Sequence, residues 1–402
     1  MIASSASKDP SARSRVRLLV ASQIREVANA GMGDPDILAF WFGEPDEVTP
    51  GYIRDAGIAA IAAGETFYTQ NFGIPELRDA LAGYLSRLHR PVGPGRIAVT
   101  ASGMSALMLA AQALVNPGSR VVCVTPLWPN LTEIPKILGA EVTRVALRFD
   151  RRGWTLDMDR FLGALTPGTC AVMINSPNNP TGWTLSSGEQ RTILEHCRRL
   201  GIWIIADDVY ERLYYAASAH SPCAPSFLDL ATEDDRLVST NSFSKAWLMT
   251  GWRLGWIVAP SALMADMGKL IEYNTSCSPV FVQRAGVVAI EHGELTVAHT
   301  LSRFRRARDQ LTLALNSISR VETALPAGAM YAFFRVEGVS DSLDFCKRLV
   351  REARLGLAPG SAFGPEGEGF VRWCFAASDD RLADGIARLS GYLHRAQGAP
   401  PS

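Results

Sequence analysis

The clearest indication of the fold class is the stretch 170–207, CAVMINSPNNPTGWTLSSGEQRTILEHCRRLGIWIIAD. It contains two short apolar runs, 170–175 and 202–207, separated by an amphipathic segment at 187–200. Each apolar run is too short and too apolar for a surface helix, which suits strands of a sheet that is covered on both faces. The stretch therefore predicts one strand–helix–strand unit of a mostly parallel sheet.

The same alternation extends in both directions from this stretch. It predicts strands at 97–100, 120–125, 142–147, 237–240 and 254–258, and helices at 105–115 and 131–138. After Pro279 the pattern changes to a long helical stretch through 319, strands at 321–325, 331–336 and 369–375, and helices at 343–353 and from 380 onward. The pattern is typical of an α/β protein in which a smaller α+β unit follows a large one.

The composition is that of an ordinary globular protein. The chain has 402 residues, of which 47% are apolar, and its 40 basic and 40 acidic side chains cancel. It therefore lacks the positive field that attracts nucleic acids and anionic membranes, so we expect a small-molecule ligand and neither a nucleic-acid partner nor a membrane. The seven cysteines form no CxxC pair and the six histidines no HxxxH or HxH pair, which disfavours a disulfide framework and a metal site. No secretory signal is apparent, and we expect a cytoplasmic protein.

One lysine lies between small hydroxyl residues and an arginine, in SFSK at 242–245 and TGWRLG at 250–255. Pyridoxal phosphate forms a Schiff base with a lysine whose neighbours lower its pKa and hold the cofactor against it. Ser242 and Arg253 could bind the phosphate, with Lys245 as the reactive amine. A lysine and an arginine in a surface loop explain this segment, taken alone, equally well.

Polar residues also follow the two strands of the first stretch. Asn179 stands in NSPNNPTG, Asp207 ends the strand 202–207, and Tyr210 follows it. Ligands of open α/β sheets bind at the carboxyl ends of strands, so we expect these side chains in one crevice. A buried carboxylate needs a partner, and a protonated pyridine nitrogen is one that Asp207 would keep charged. Taken singly, a turn residue for Asn179 and a cap for Asp207 are simpler explanations.

In combination, these motifs resemble the fold-type I pyridoxal-phosphate aminotransferases of class I/II, the aspartate aminotransferase-like family. The resemblance covers about 22–393. It implies a large domain at 44–289 with a mostly parallel seven-stranded sheet, a small α+β domain formed by 21–43 and 290–402, and a flexible tail at 1–20. It also implies pyridoxal 5'-phosphate as cofactor, an amino acid and a 2-oxo acid as substrates, and a homodimer with an active site shared between subunits.

The resemblance implies a role for the residues at the cofactor ring. Lys245 matches the lysine that forms the Schiff base and moves the proton from the substrate Cα. Asp207 matches the partner of the pyridine nitrogen, whereas Tyr210 and Asn179 match the hydrogen-bond partners of the ring's phenolic oxygen. Trp128, in PLWP, matches the aromatic residue stacked on the ring, although the residue alone would be taken for a core tryptophan.

The resemblance also implies which residues bind the phosphate group of the cofactor. Ser102, Gly103 and Met104 match the phosphate turn at a helix start, where free N–H groups and the helix dipole bind anions. Arg253 matches the family's phosphate-binding arginine, with Ser242 beside it.

Three further residues match the family's positions for the neighbouring subunit and for the substrate. Tyr68 matches the tyrosine that reaches the phosphate from the neighbouring subunit. Gly43, in FGEPD, matches the glycine that closes over the substrate. Arg372, in FVRWCFA, matches the arginine that binds the substrate α-carboxylate, a group that every amino-acid substrate carries.

Met104 departs from some dicarboxylate-specific relatives, which place a lysine there to meet the distal carboxylate. With Trp41 and Trp128 expected near the same pocket, Met104 favours an apolar or aromatic substrate side chain. Arginines elsewhere, including those of a neighbouring subunit, could still supply the missing charge. The donor, the oxo acid, the pathway and any assembly beyond a dimer are not determined by the sequence.

Three functions remain open at this point. The first is an aminotransferase that moves an amino group from an L-amino acid to a 2-oxo acid, 2-oxoglutarate or pyruvate, in a ping-pong cycle. The second is a β-lyase or cyclase, which the motifs cannot separate from the first because the cofactor supplies the electron sink in each. The third is a non-catalytic ligand sensor, but the residues before Phe42 are too few and not basic enough for a helix-turn-helix domain.

Overall fold

Two main β-sheets of unequal size organise the molecule. The computed structural model describes residues 12–218 and 221–397. Its α-helices are α1 (Ser14–Arg17), α2 (Gln23–Asn29), α3 (Gly51–Ala62), α4 (Pro75–Leu88), α5 (Gly103–Leu114), α6 (Pro129–Leu138), α7 (Met158–Ala164), α8 (Ser187–Leu200), α9 (Ser261–Asn274), α10 (Val280–His292), α11 (Glu294–Asn316), α12 (Ser342–Ala353) and α13 (Asp379–Gln397). Its strands are β1 (Leu38–Ala39), β2 (Ile97–Thr100), β3 (Arg120–Thr125), β4 (Glu141–Ala146), β5 (Arg148–Asp150), β6 (Gly153–Thr155), β7 (Thr169–Asn175), β8 (Trp203–Asp207), β9 (Leu237–Ser242), β10 (Gly255–Val258), β11 (Val321–Glu322), β12 (Tyr331–Val336), β13 (Leu355–Gly356), β14 (Ala358–Pro359) and β15 (Phe370–Cys374).

The larger sheet has seven strands in the order β2-β10-β9-β8-β7-β3-β4. Strands β4, β3, β7, β8 and β9 run parallel, whereas β10 is antiparallel to both of its neighbours. Alternate residues of β7 enter two different apolar clusters, Val172 and Ile174 one of them, Ala171 and Met173 the other. Both faces of the sheet are therefore covered, which explains the continuous apolar runs. The predicted mostly parallel seven-stranded sheet is confirmed.

A smaller sheet, β11-β12-β15-β14, carries a second apolar core. Its strands are antiparallel, and Phe304 of α11, Phe334 of β12 and Leu349 of α12 pack in the same cluster. The N-terminal segment joins this unit because β1 pairs with β13 and α2 packs on α12. The predicted domain boundaries at 43/44 and 289/290 stay a prediction.

The long helix that the sequence predicts through 319 is two helices. Helix α10 ends at His292 and α11 begins at Glu294, with Gly293 between them. A Cβ atom at position 293 would lie 2.1 Å from the carbonyl oxygen of Ala289 and 2.7 Å from Nε1 of Trp247. Only glycine fits this close approach. Both helices carry buried apolar residues, so periodicity alone does not mark the break.

No helix within 12–218 and 221–397 is both long and apolar enough to cross a lipid bilayer. In the same part of the chain, no group of three or more His, Cys, Asp or Glu side chains is arranged to hold a metal ion. Residues 1–11 of the predicted N-terminal tail lie outside the described residues.

Candidate active site

A cavity of about 490 Å³ lies at the carboxyl ends of β7, β8 and β9, beside the N-terminus of α5. Its walls contain eleven of the thirteen residues that the sequence predicts for the site: Gly43, Gly103, Met104, Trp128, Asn179, Asp207, Tyr210, Ser242, Lys245, Arg253 and Arg372. Ser102 lies directly before Gly103, at the start of α5. Only Tyr68 lies apart from the cavity, on the surface.

Asn175 joins the ends of β7 and β8. It lies opposite Asp207 in the register of the two parallel strands. Its Nδ2 donates to the carbonyl oxygen of Asp207 over 3.0 Å, and its Oδ1 accepts from the N–H of Asn179 over 2.7 Å. These bonds fix the loop that carries Asn179 against the strand that carries Asp207. Asn175 is missing from the predicted site, although a polar residue at the end of a buried strand is a signal for it.

The carboxyl group of Asp207 is buried, and it forms no ion pair within the described residues. Its Oδ1 accepts one long hydrogen bond, 3.4 Å, from the N–H of Val209. Burial raises the pKa of Asp207 from 3.8 to about 7, against the opposing effects of that hydrogen bond and of Lys245. A carboxylate in this position costs free energy unless a cation lies beside it.

The amine of Lys245 lies in the cavity and is hydrogen-bonded to the loop before α3. Its Nζ donates to the carbonyl oxygen of Gly43 over 2.6 Å. Burial lowers the pKa of Lys245 from 10.5 to about 8, and repulsion from Arg372 acts in the same direction. At pH 7 about a tenth of this amine is therefore neutral, which is the nucleophilic form.

Tyr210 and Tyr331 form a buried pair of phenols. Their hydroxyl oxygens lie 2.7 Å apart, and their rings meet edge to face. Burial raises the pKa of both phenols above the ordinary value of 10, so both are protonated at neutral pH. One hydroxyl donates to the other, which leaves one O–H available to a ligand. Tyr331, on β12 of the smaller sheet, is also missing from the predicted site.

The glycine at position 43 allows the loop before α3 to approach this pair. A Cβ atom there would lie 2.0 Å from Oη of Tyr331. Any side chain at 43 would therefore displace Tyr331 or the carbonyl group that Lys245 binds.

Arg372, on β15, is buried and held on several sides. Its Nη1 donates to Oδ1 of Asn179 over 3.0 Å, and its Nη2 donates to the carbonyl oxygen of Trp41. The guanidinium lies 4.5 Å from the ring centroid of Tyr331 and 4.9 Å from that of Phe363. Its Nε has no acceptor within the described residues. The group is oriented, and it keeps hydrogen-bonding capacity for an anion.

The start of α5 lies close to the last strands of the sheet. Ser102 caps the helix with a φ of 126° and accepts a hydrogen bond from the N–H of Ser105. The N–H groups of Gly103 and Met104 have no intrahelical acceptor because they begin the helix. A Cβ atom at Gly255 would lie 2.6 Å from the nitrogen of Gly103. Glycine at 255 thus lets β10 pass against these free N–H groups.

Hydroxyl groups and a guanidinium complete this part of the cavity. The Oγ atoms of Ser242 and Ser244 lie 2.8 Å apart. The Nη1 of Arg253 donates to the carbonyl oxygen of Thr250 over 2.6 Å and lies 3.5 Å from Oγ of Ser244. Free helix N–H groups, hydroxyl groups and an arginine form the donor set of a phosphate site.

Met104 and Trp128 line the cavity from α5 and from the start of α6. Sδ of Met104 accepts a hydrogen bond from Nδ2 of Asn130 over 3.2 Å. The backbone N–H of Trp128 donates to the carbonyl oxygen of Asn179 over 2.9 Å. The loop after β3 is thus hydrogen-bonded to the loop after β7 at the cavity wall.

This set of groups fits pyridoxal phosphate. The phosphate-type donor set, the buried unpaired carboxylate of Asp207 and the amine of Lys245 lie around one cavity. They match the three polar features of the cofactor, which are its phosphate, its pyridine nitrogen and its aldehyde.

The chain matches known proteins over nearly its whole length. The family model for aminotransferase class I and II matches residues 36–389. The aspartate aminotransferase of Pyrococcus horikoshii is 33% identical over 383 residues, which are 94% of this chain and 96% of that protein.

Solved structures agree with this match. The aromatic aminotransferase of Pyrococcus horikoshii superposes with a TM-score of 0.84 at 29% identity, over 93% of this chain and 99% of that one. The aspartate aminotransferase of Thermotoga maritima superposes with a TM-score of 0.87 at 29% identity, over 95% of this chain and 100% of that one. The fold, the cofactor and the reaction class predicted from the sequence are confirmed. The chain belongs to the class I and II aminotransferases, the fold-type I enzymes that depend on pyridoxal phosphate.

Proposed function

We propose that this aminotransferase exchanges an amino group between an L-amino acid and 2-oxoglutarate or pyruvate in a ping-pong cycle, as a cytoplasmic homodimer. The observation that carries the proposal is the presence of Lys245, Asp207 and Arg372 in the walls of one cavity. They supply an amine of lowered pKa, an unpaired buried carboxylate and an oriented guanidinium. The relatives are named for aspartate and for aromatic amino acids, which supports both kinds of donor.

The cofactor would be held by groups from the larger sheet. The N–H groups at the start of α5, with Ser242 and Arg253, would bind its phosphate. Asp207 would keep the pyridine nitrogen protonated, because a buried carboxylate gains most from a cationic partner. Trp128 would stack on the ring. When bound, pyridoxal phosphate supplies the electron sink for cleavage of the bond between Cα and hydrogen.

The substrate would be held by groups from the smaller sheet and the loop before α3, together with Asn179 from the loop after β7. Arg372 would bind the α-carboxylate with the guanidinium hydrogens that protein groups leave free. Asn179 accepts from Arg372 through Oδ1, so its Nδ2 hydrogens are oriented toward other acceptors. Gly43 would allow the loop at 41–44 to lie over the substrate, since its backbone already contacts Lys245.

Lys245 would move the proton. Its Nζ, with a pKa of about 8, is basic enough to accept a proton from the substrate Cα and acidic enough to return it near neutral pH. Tyr210 and Tyr331 stay protonated and supply one free O–H at the same end of the cavity.

Tyr68 supports the homodimer. Its side chain is 90% exposed and that of Phe67 is 84% exposed, and neither lines the cavity of its own chain. Two adjacent exposed aromatic residues favour a surface that a partner covers. The seven cysteines are all unpaired, which supports a reducing compartment such as the cytoplasm.

The test is a half-reaction across a panel of amino acids. Protein loaded with pyridoxal phosphate is mixed with one amino acid and no added oxo acid, and the oxo acid formed is measured. An aminotransferase forms one equivalent of 2-oxo acid per active site and stops. Addition of 2-oxoglutarate or pyruvate should then restart the reaction.

Two outcomes contradict the proposal. Continuous release of pyruvate and ammonia without an added oxo acid would identify a β-lyase. Absence of oxo acid formation with every amino acid, from protein that holds a full equivalent of cofactor, would contradict transamination. Sedimentation equilibrium tests the homodimer, and a monomer at micromolar concentration would overturn that part.

A further inference from the structure

Residues 360–367, between β14 and β15, lie against the larger sheet. The carbonyl oxygen of Phe363 in this segment accepts two hydrogen bonds, each of 3.1 Å, from the N–H of Leu127 and from Nη2 of Arg144. Leu127 lies in the loop after β3, and Arg144 lies on β4, the edge strand beside β3. One carbonyl group of the segment is therefore fixed to two neighbouring strands of the larger sheet.

An ion pair strengthens this contact. Nε of Arg144 donates to Oε1 of Glu366 over 2.9 Å, and Nη2 donates to Oε2 over 2.8 Å. Burial opposes ionisation of Glu366, but its hydrogen bonds with Arg144 hold the pKa of that carboxyl below the ordinary value of 4.5. The side chains of Arg144 and Glu366 are only 23% and 22% exposed. A bidentate pair of this kind fixes the relative geometry of the two groups that it joins.

The ring of Phe363 contacts Arg372. Its centroid lies 4.9 Å from Cζ of the guanidinium, and the residue is buried. Attraction between a cation and an aromatic face depends on where the ring lies. Arg144, Phe363 and Glu366 do not line the active-site cavity, whereas Arg372 does. We therefore expect any effect of this contact on the substrate to pass through Arg372.

We infer that Arg144 is a positioning residue that, through Phe363, orients the guanidinium of Arg372 for the α-carboxylate of both substrates. The inference rests on the proposed function, in which Arg372 binds that carboxylate. Asn179 and the carbonyl group of Trp41 hold the two Nη atoms of Arg372, and the ring of Phe363 limits where the guanidinium can move. Because the amino acid and the oxo acid share the α-carboxylate, Arg144 should affect both alike.

The experiment compares Arg144→Gln with Arg148→Gln. Arg148 is a matched control, because it lies on β5 and pairs over 2.6 Å with Asp157, outside both the segment 360–367 and the cavity. In Arg144→Gln the KM values for the amino acid and the oxo acid should both rise roughly threefold to tenfold, with kcat within about twofold, since a contact made equally in the ground state and the transition state is weakened. Arg148→Gln should leave both quantities within about twofold of the wild type, and neither substitution should change the cofactor dissociation constant.

A double-mutant cycle shows whether the effect passes through Arg372. In the Arg372→Ala background, Arg144→Gln should cause no further loss of kcat/KM, because the group that it positions is gone. Glu366→Gln should raise both KM values although Arg144 is intact. Arg144→Lys should recover part of the loss, because a lysine restores the charge beside Glu366 without the planar bidentate geometry.

A binding measurement gives a readout that does not need turnover. Butyrate carries one carboxylate and no amino group. Titration calorimetry on the cofactor-loaded protein should show a butyrate dissociation constant that rises roughly threefold to tenfold in Arg144→Gln and changes little in Arg148→Gln.

The outcomes separate this inference from the proposed function. Unchanged KM values and unchanged butyrate affinity in Arg144→Gln and Glu366→Gln would overturn the role of Arg144, even with transamination established. An equal loss in Arg148→Gln, or an undiminished effect of Arg144→Gln in the Arg372→Ala background, would overturn it as well. If the wild type converts no amino acid, the proposed function fails, and the butyrate titration still decides whether Arg144 supports carboxylate binding.

Discussion

The two ends of the active-site cavity are built in different ways. The cofactor end consists of Gly103, Asp207, Ser242, Ser244 and Arg253. All of these residues lie at the ends of strands of the larger sheet, in the segment between β9 and β10, or at the start of helix α5. The substrate end consists of Arg25, Phe42, Gly43, Tyr331 and Arg372, which come from the N-terminal segment and the smaller sheet.

The hydrogen bonds at the two ends differ in the sequence separation between their partners. At the cofactor end, Ser242 bonds to Ser244 two residues along. At the substrate end, Arg372 bonds to Asn179 across 193 residues. The cofactor end depends on the local geometry of one sheet, whereas the substrate end depends on how two cores pack together. Substitutions at the substrate end should therefore weaken substrate binding without loss of the cofactor.

The largest effect should come from the residue that joins the two ends. Lys245→Ala removes the amine that contacts Gly43 of the substrate end, and we expect turnover to become undetectable because the nucleophile and the proton carrier are lost together. Borohydride reduction followed by peptide mass spectrometry should locate the cofactor on Lys245 only in the wild type. Lys269→Ala, which removes an exposed lysine paired with Asp266, is the control. Cofactor fixed at another lysine with normal turnover would remove Lys245 from its role.

The next largest effect tests the substrate end alone. Arg372→Ala should lower kcat/KM more than tenfold for both the amino acid and the oxo acid, because loss of a desolvated charge-assisted contact costs about 2 to 5 kcal/mol. The cofactor dissociation constant should change little. A loss confined to one of the two substrates would mean that Arg372 binds a side chain and not the shared α-carboxylate.

A stability measurement tests the cofactor end without any substrate. In the cofactor-free protein, Asp207 has a pKa of about 7 instead of 3.8, so the folded state holds a proton between these values that the unfolded state releases. The free energy of unfolding should therefore fall as pH rises from about 4 to about 7, by at most about 4 kcal/mol from this group, and then level off.

Asp207→Asn should remove this part of the pH dependence. Urea unfolding of cofactor-free wild type and variant at pH 5 and pH 8 measures it, and the variant should gain stability relative to the wild type at pH 8. Equal pH dependence of the free energy of unfolding in the two proteins would show that the pKa of Asp207 is not raised in the absence of the cofactor.

The smallest effect is expected at the boundary between the two ends. Met104 lies in the first turn of α5 beside the phosphate-type donors and also lines the cavity. Wild type should accept apolar or aromatic amino acids at least as well as aspartate. Met104→Lys should raise the aspartate-to-phenylalanine ratio of kcat/KM roughly tenfold, since a new charge-assisted bond is worth about 1.5 to 3 kcal/mol. An unchanged ratio with intact cofactor affinity would place side-chain selection elsewhere.

Local sequence patterns are sufficient to predict the larger sheet and most of the cofactor end. The amphipathic segment at 187–200 predicts a helix with the bounds of α8, Ser187–Leu200, because a capping box at its start and Gly201 at its end are encoded in adjacent residues. The same patterns do not predict the break at Gly293, since the contact with Trp247 that requires glycine joins residues that are distant in the chain.

The strand ends and the residues that follow them are encoded locally in the sequence. Apolar runs and their helical neighbours depend on interactions within a few residues, and this is why the sequence alone predicts Asn179, Asp207 and Tyr210 in one crevice. The side chains that face these residues from other elements depend on tertiary packing. Tyr331 reaches Tyr210 across 121 residues, and Arg25 lies over Phe42, because the N-terminal segment and the smaller sheet pack as one core beside the larger sheet. No local propensity records such a contact, since its free energy comes from burial between elements that are distant in the chain.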